Sequence, residues 1–172
     1  MENMENMKTL FAVDFSKSMN EFKFYFEKIR EIKQKYYNSS RLDKFYIWGS
    51  GYFYLNEKEI DRFINEEVGK FGERHSYYIA EIGKETKNEN FELLIIVTNG
   101  KVSFTDIDES DKRFHEYGLA YKYVKSYIIG NDGDESVSCS YMRDCNSETV
   151  LIDNYGNENV LKCFSKKKSN NK

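Results

Sequence analysis

The 172-residue chain reads as a single α/β domain built on an open, mostly parallel sheet. Three observations predict this. Apolar runs suited to strands alternate with segments whose apolar residues recur at helical spacing. One run, Phe91-Glu-Leu-Leu-Ile-Ile-Val97, is almost continuously apolar, as in a strand covered on both faces. No linker or low-complexity stretch divides the chain, and the only repeat is the Met-Glu-Asn duplication at its start.

Taken in order, Lys8 to Asp14 is a buried strand. Residues 18 to 36 form a helix with Phe22, Tyr25, Phe26, Ile29, Ile32 and Tyr36 on one face, ended by Asn38-Ser-Ser40. Phe45 to Gly49 and Tyr52 to Leu55 make a hairpin about Gly49-Ser50-Gly51, which supplies one antiparallel edge strand. Asn56 caps the next helix, with Glu59 as its capping-box partner and Ile60, Phe63, Ile64, Val68 and Phe71 facing inward. A polar loop, Gly72-Glu-Arg-His-Ser76, precedes a short helix over Tyr77 to Lys84. The Phe91–Val97 strand stops at Thr98-Asn99-Gly100. Asp106 to Tyr117 is a helix closed by Gly118. Tyr123 to Ile129 is a strand ended by Gly130. Beyond it, residues 131–164 read either as a sixth strand or as a terminal hairpin about Asn154-Tyr-Gly-Asn157. The domain thus spans residues 8–164, between a flexible stretch over 1–7 and a disordered basic tail over 165–172. Helices fall on both faces, which makes three layers in a Rossmann-like arrangement. Ligands in such folds sit beyond the C-terminal ends of the strands.

Composition excludes several functions. Net charge is −3, against a domain-wide nucleic-acid surface. No apolar run is long enough to span a membrane, and the first residues do not read as a signal peptide, so a cytoplasmic location is expected. Cys139, Cys145 and Cys163 are an odd set, read as thiols in a reducing compartment. His75 and His115 lack a catalytic partner motif, and neither a nucleophile elbow nor a phosphate loop is present, so the chain is not expected to be an enzyme.

One motif carries chemistry. The first strand runs into Asp14-Phe-Ser16-Lys-Ser18, three hard oxygen donors at alternate positions, a pattern that suits Mg²⁺. The same residues also make good helix N-caps. Together with Ile-Ile-Val-Thr98-Asn99-Gly100, this motif resembles the von Willebrand factor A domain, over about residues 8 to 130 by order and spacing of elements. The resemblance implies a metal-ion-dependent adhesion site. Ser16 and Ser18 would ligate Mg²⁺ (or Mn²⁺ in its place) directly and Asp14 through water. Where the family has a threonine in its second loop, this chain has His75-Ser76, so Ser76 is the candidate. Where the family reads Thr-Asp-Gly, Asn99 replaces the aspartate. With one carboxylate fewer, weaker metal binding or none is expected. Asp132 and Asp134 could compensate. Asp106 and Asp108 more simply favour a helix N-terminus.

The resemblance implies an interaction module that binds another protein, through an acidic side chain of the partner that completes the metal's coordination. Thr98, Gly100, Gly49 and Ser50 would form the rim, with neither nucleic acid nor membrane as partner. A metal-free scaffold subunit of the same fold is the alternative. A Mg²⁺-dependent hydrolase or phosphotransferase using Asp14 ranks third.

Overall fold

A computed structural model describes residues 3–15, 24–66, 74–100, 102–130, 136–141 and 145–163. Ser16, Ser18, Phe22, Val68, Phe71, Asp132, Asp134 and the basic tail lie outside these residues.

Seven strands form one sheet: β1 (Thr9–Asp14), β2 (Lys44–Trp48), β3 (Tyr52–Leu55), β4 (Leu93–Thr98), β5 (Tyr123–Ile129), β6 (Asn146–Ile152) and β7 (Glu158–Cys163). Their spatial order is β3-β2-β1-β4-β5-β6-β7. The five strands from β2 to β6 are parallel to one another. β3 and β7 each run antiparallel to their neighbour. One antiparallel edge was expected and two are found. The β6–β7 turn explains the second: a tight hairpin can join only antiparallel strands. The Asp153 carboxylate builds this turn, accepting the backbone N–H groups of Tyr155 and Asn157, each at 2.9 Å. Residues 131–164 therefore supply both a parallel sixth strand and a terminal hairpin.

Both faces of the sheet are covered. β1 and β4 are buried along their whole length. Alternate residues face opposite sides, so Phe11, Val13, Ile95 and Val97 pack under α1 (Tyr25–Tyr36) and α2 (Glu57–Glu66). Leu10, Ala12, Leu94 and Ile96 pack under α3 (Tyr77–Glu85) and α4 (Phe104–Glu116), with Tyr141 beyond the short α5 (Ser136–Cys139). Rings dominate the first core: Phe11 stacks on Phe45 at 5.5 Å, and Phe63 meets both Phe15 and Phe26 edge-on. Among the described residues no helix is long and apolar enough to cross a membrane.

The N-terminal stretch differs from expectation from Asn3 onward. Met4–Asn6 forms a 3₁₀ turn capped by Asn3, and Met7 is buried in the core at 3% exposure. Apolar burial of Met7 and the Arg41 guanidinium, which donates to the Glu5 carbonyl, hold it.

Candidate functional site

The chain leaves β1 towards β2 on one side and leaves β4 towards β5 on the other. The strand order therefore reverses between β1 and β4, the position at which sheets of this kind form their ligand crevice, beyond the C-terminal ends of the strands. Asp14 ends β1 and Thr98 ends β4, both fully buried. The Thr98 hydroxyl donates to Asp14 Oδ2 at 2.8 Å and accepts the Gly100 N–H at 3.2 Å. Gly100 has φ 74°, a left-handed conformation that suits glycine, and the chain then turns into α4. Asn99 is also fully buried.

Arg74, in the loop before α3, reaches into this crevice. Its Nη1 donates to Asp14 Oδ2 at 2.9 Å, with the two side chains 8% and 0% exposed. The Tyr25 hydroxyl donates to the Asp14 carbonyl. Burial, and then the Asp14 charge, raise the Tyr25 pKa well above its ordinary value, which keeps the donating proton in place. The loop itself is anchored. The His75 N–H donates to the Gly49 carbonyl at 3.0 Å, and the Gly49 N–H to the Gly51 carbonyl at 2.8 Å.

Ser76 faces elsewhere. Its N–H and its hydroxyl both donate to Asp106 Oδ2, at 2.6 and 2.8 Å, and its oxygen lies 2.7 Å from the Ser110 hydroxyl. The Tyr141 hydroxyl donates to the Ser76 carbonyl at 2.7 Å. Asp106 thus serves as a clasp between α4 and the loop as well as a first-turn acid. Its other oxygen, Oδ1, is buried without a hydrogen bond among the described residues, and His75 Nδ1 stands 3.4 Å away.

Of the residues expected to hold Mg²⁺, Asp14 lies in the crevice hydrogen-bonded to Thr98, and the buried Asn99 follows Thr98 in the chain. The Ser76 hydroxyl is committed to α4, and Ser16 and Ser18 lie outside the described residues. The described donors do not suit a divalent ion. A guanidinium already contacts Asp14 Oδ2, and a second cation beside it would meet like-charge repulsion. Among the described residues, no three His, Cys, Asp or Glu side chains gather in a way that could hold a metal ion. Of the expected rim, Gly49 and Gly100 are buried and Ser50 is exposed.

Sequence reasoning passed over Arg74, although a buried aspartate demands a counter-charge and the loop at the same edge contains one arginine. It also passed over two rings on this edge: Phe104, which opens α4, and Tyr155, in the β6–β7 turn, are 78% and 83% exposed. No protein-family model matches the chain, and no curated protein matches it significantly.

Proposed function

We propose that the protein is an interaction module resembling the von Willebrand factor A domain, which binds another protein through the loops on the C-terminal edge of its sheet. The observation that carries this reading is the placement of Phe104 and Tyr155. They are the two most exposed large hydrophobic side chains among the described residues, and both stand on that edge. Large rings that leave the core and meet solvent cost free energy unless a partner covers them, and such rings dominate interface energetics. They suit a partner that offers apolar recesses. The resemblance itself draws support from the antiparallel β2–β3 hairpin, from β5 ending at Ile128-Ile129-Gly130, and from the helical turn α5 ahead of β6.

A metal-free form of the module is favoured over one that binds through Mg²⁺, because Asp14 is already paired with Arg74 and Thr98. The same pairing weighs against Asp14 as the centre of a hydrolase or phosphotransferase.

Affinity capture with tagged protein tests the reading. The control is Leu42→Ser, which removes an exposed side chain (70%) at the opposite edge. The double variant Phe104→Ser/Tyr155→Ser should lose a partner that wild type and control retain, at about 2 kcal/mol, or roughly thirtyfold in affinity, per ring. Identical capture by all three proteins would sink the proposal.

A further inference from the structure

We propose that Arg74 is the resident cation of the crevice, so that Asp14 at the end of β1 is tied to the segment before α3 by a guanidinium and needs no divalent ion. The inference concerns what closes the site, and it stands independently of which partner the edge binds.

Four observations carry it. Asp14 is completely buried, so its negative charge has to be balanced by a group of the protein or by a bound ion. Arg74 Nη1 meets that need at 2.9 Å, and the arginine is itself 92% buried, since only 8% of its side chain is exposed. The lone pairs of Asp14 Oδ2 are used by two donors, Arg74 and the Thr98 hydroxyl. Finally, the backbone next to Arg74 is fixed independently of Asp14. His75 is tied to Gly49, and Ser76 to Asp106, Ser110 and Tyr141. The guanidinium is therefore delivered by a residue whose next two neighbours, His75 and Ser76, are fixed in place. A divalent ion at Asp14 Oδ2 would compete with the guanidinium for the same oxygen and would gain no hydroxyl from Ser76 without breaking the clasp to α4.

Thermal melting of the full chain in EDTA, in Mg²⁺ and in Mn²⁺ tests the proposal. Wild type should melt at one temperature in all three, because an ion that bound the native state would raise it. Arg74→Met, which keeps the bulk and removes the charge, should melt roughly 6–20 °C lower. Arg74→Met/Asp14→Asn should recover a large part of that loss, since neither charge is then left buried alone. If Arg74→Met fails to fold, the double variant and the wild-type titration still decide. A wild-type melting temperature that rises with Mg²⁺ or Mn²⁺ and falls in EDTA overturns the proposal. So does an Arg74→Met protein that melts like wild type.

Discussion

Leu42 holds φ 62° and ψ 34°, a left-handed conformation in which a side chain with a Cβ is crowded, and the side chain is 70% exposed. Its neighbours impose the conformation. Asp43 is buried: its Oδ1 accepts the Thr9 backbone N–H, and its Oδ2 accepts the Asn38 N–H and pairs with Arg41 at 2.8 Å. Glycine at position 42 would relieve the crowding at little loss of contact. Leu42→Gly should therefore stabilise the protein by about 0.5–1 kcal/mol, read from the urea midpoint, even after the greater unfolded-state freedom of glycine is counted. A lower midpoint would refute this. Residues of this kind mark the limit of reading a site from sequence. Asp14 and Thr98 could be placed because each directly follows a buried apolar run, and topology brings such ends together. The roles of Arg74 and Ser76 could not. They sit in a polar loop without periodicity, and whether Ser76 turns to Asp14 or to Asp106 depends on where α4 packs.

At the scale of the element, the capping box was legible and is formed. The Asn56 side chain accepts the Glu59 N–H at 2.9 Å, and Glu59 returns the bond to the Asn56 N–H at 3.1 Å. Asn56→Ala should cost about 1 kcal/mol and Asn56→Gly only a few tenths. Equal denaturant midpoints for wild type and Asn56→Ala would show that the box adds nothing. Gly118 closes α4 as expected, with Leu119 N–H reaching back to the Phe114 carbonyl at 3.2 Å. α4 starts at Phe104, two residues before the Asp106 that the acidic pair Asp106 and Asp108 suggests, because Ser103 is the cap, its hydroxyl accepting the Asp106 N–H at 3.1 Å. Strands with continuous apolar runs were found within two residues of their observed ends. β7 was harder to orient as part of the main sheet, because its local hairpin with β6 joins that sheet only through the long-range parallel pairing of β6 with β5.

At the scale of the molecule, the aromatic composition that announced a ring-rich core also sets the response to alkali. Burial, the largest cause in each case, raises the pKa of Tyr46, Tyr127 and Tyr141, and Tyr25 shifts in the same direction. For Lys125 in β5, burial lowers the pKa, but hydrogen bonds to Tyr36 and Glu148 outweigh it and the net shift is upward. A folded pKa above the unfolded one means that the folded state holds its proton longer. The stability from these groups is complete below the unfolded values, near 10 for Tyr and 10.4 for Lys, and is lost as pH climbs through the folded ones. The melting temperature should thus be flat from about pH 7 to 9 and fall above about pH 10, and Tyr127→Phe should make that fall shallower. A profile without an alkaline fall would contradict the burial of these rings.

The short outer strand β3 has a consequence for handling the protein. Tyr52-Phe53-Tyr54-Leu55 contains no charged residue, and Phe53 and Tyr54 are 55% and 49% exposed. Among the described residues the only strand paired with β3 is β2, which puts β3 at the border of the sheet. Natural sheets commonly guard such borders with lysine, proline or a bulge. Its four positions hold neither lysine nor proline, and its brevity limits the length over which a second molecule could pair with it. Concentrated solutions should accordingly self-associate through the exposed Phe53 and Tyr54 rings, and Phe53→Ser should lower that tendency in light scattering.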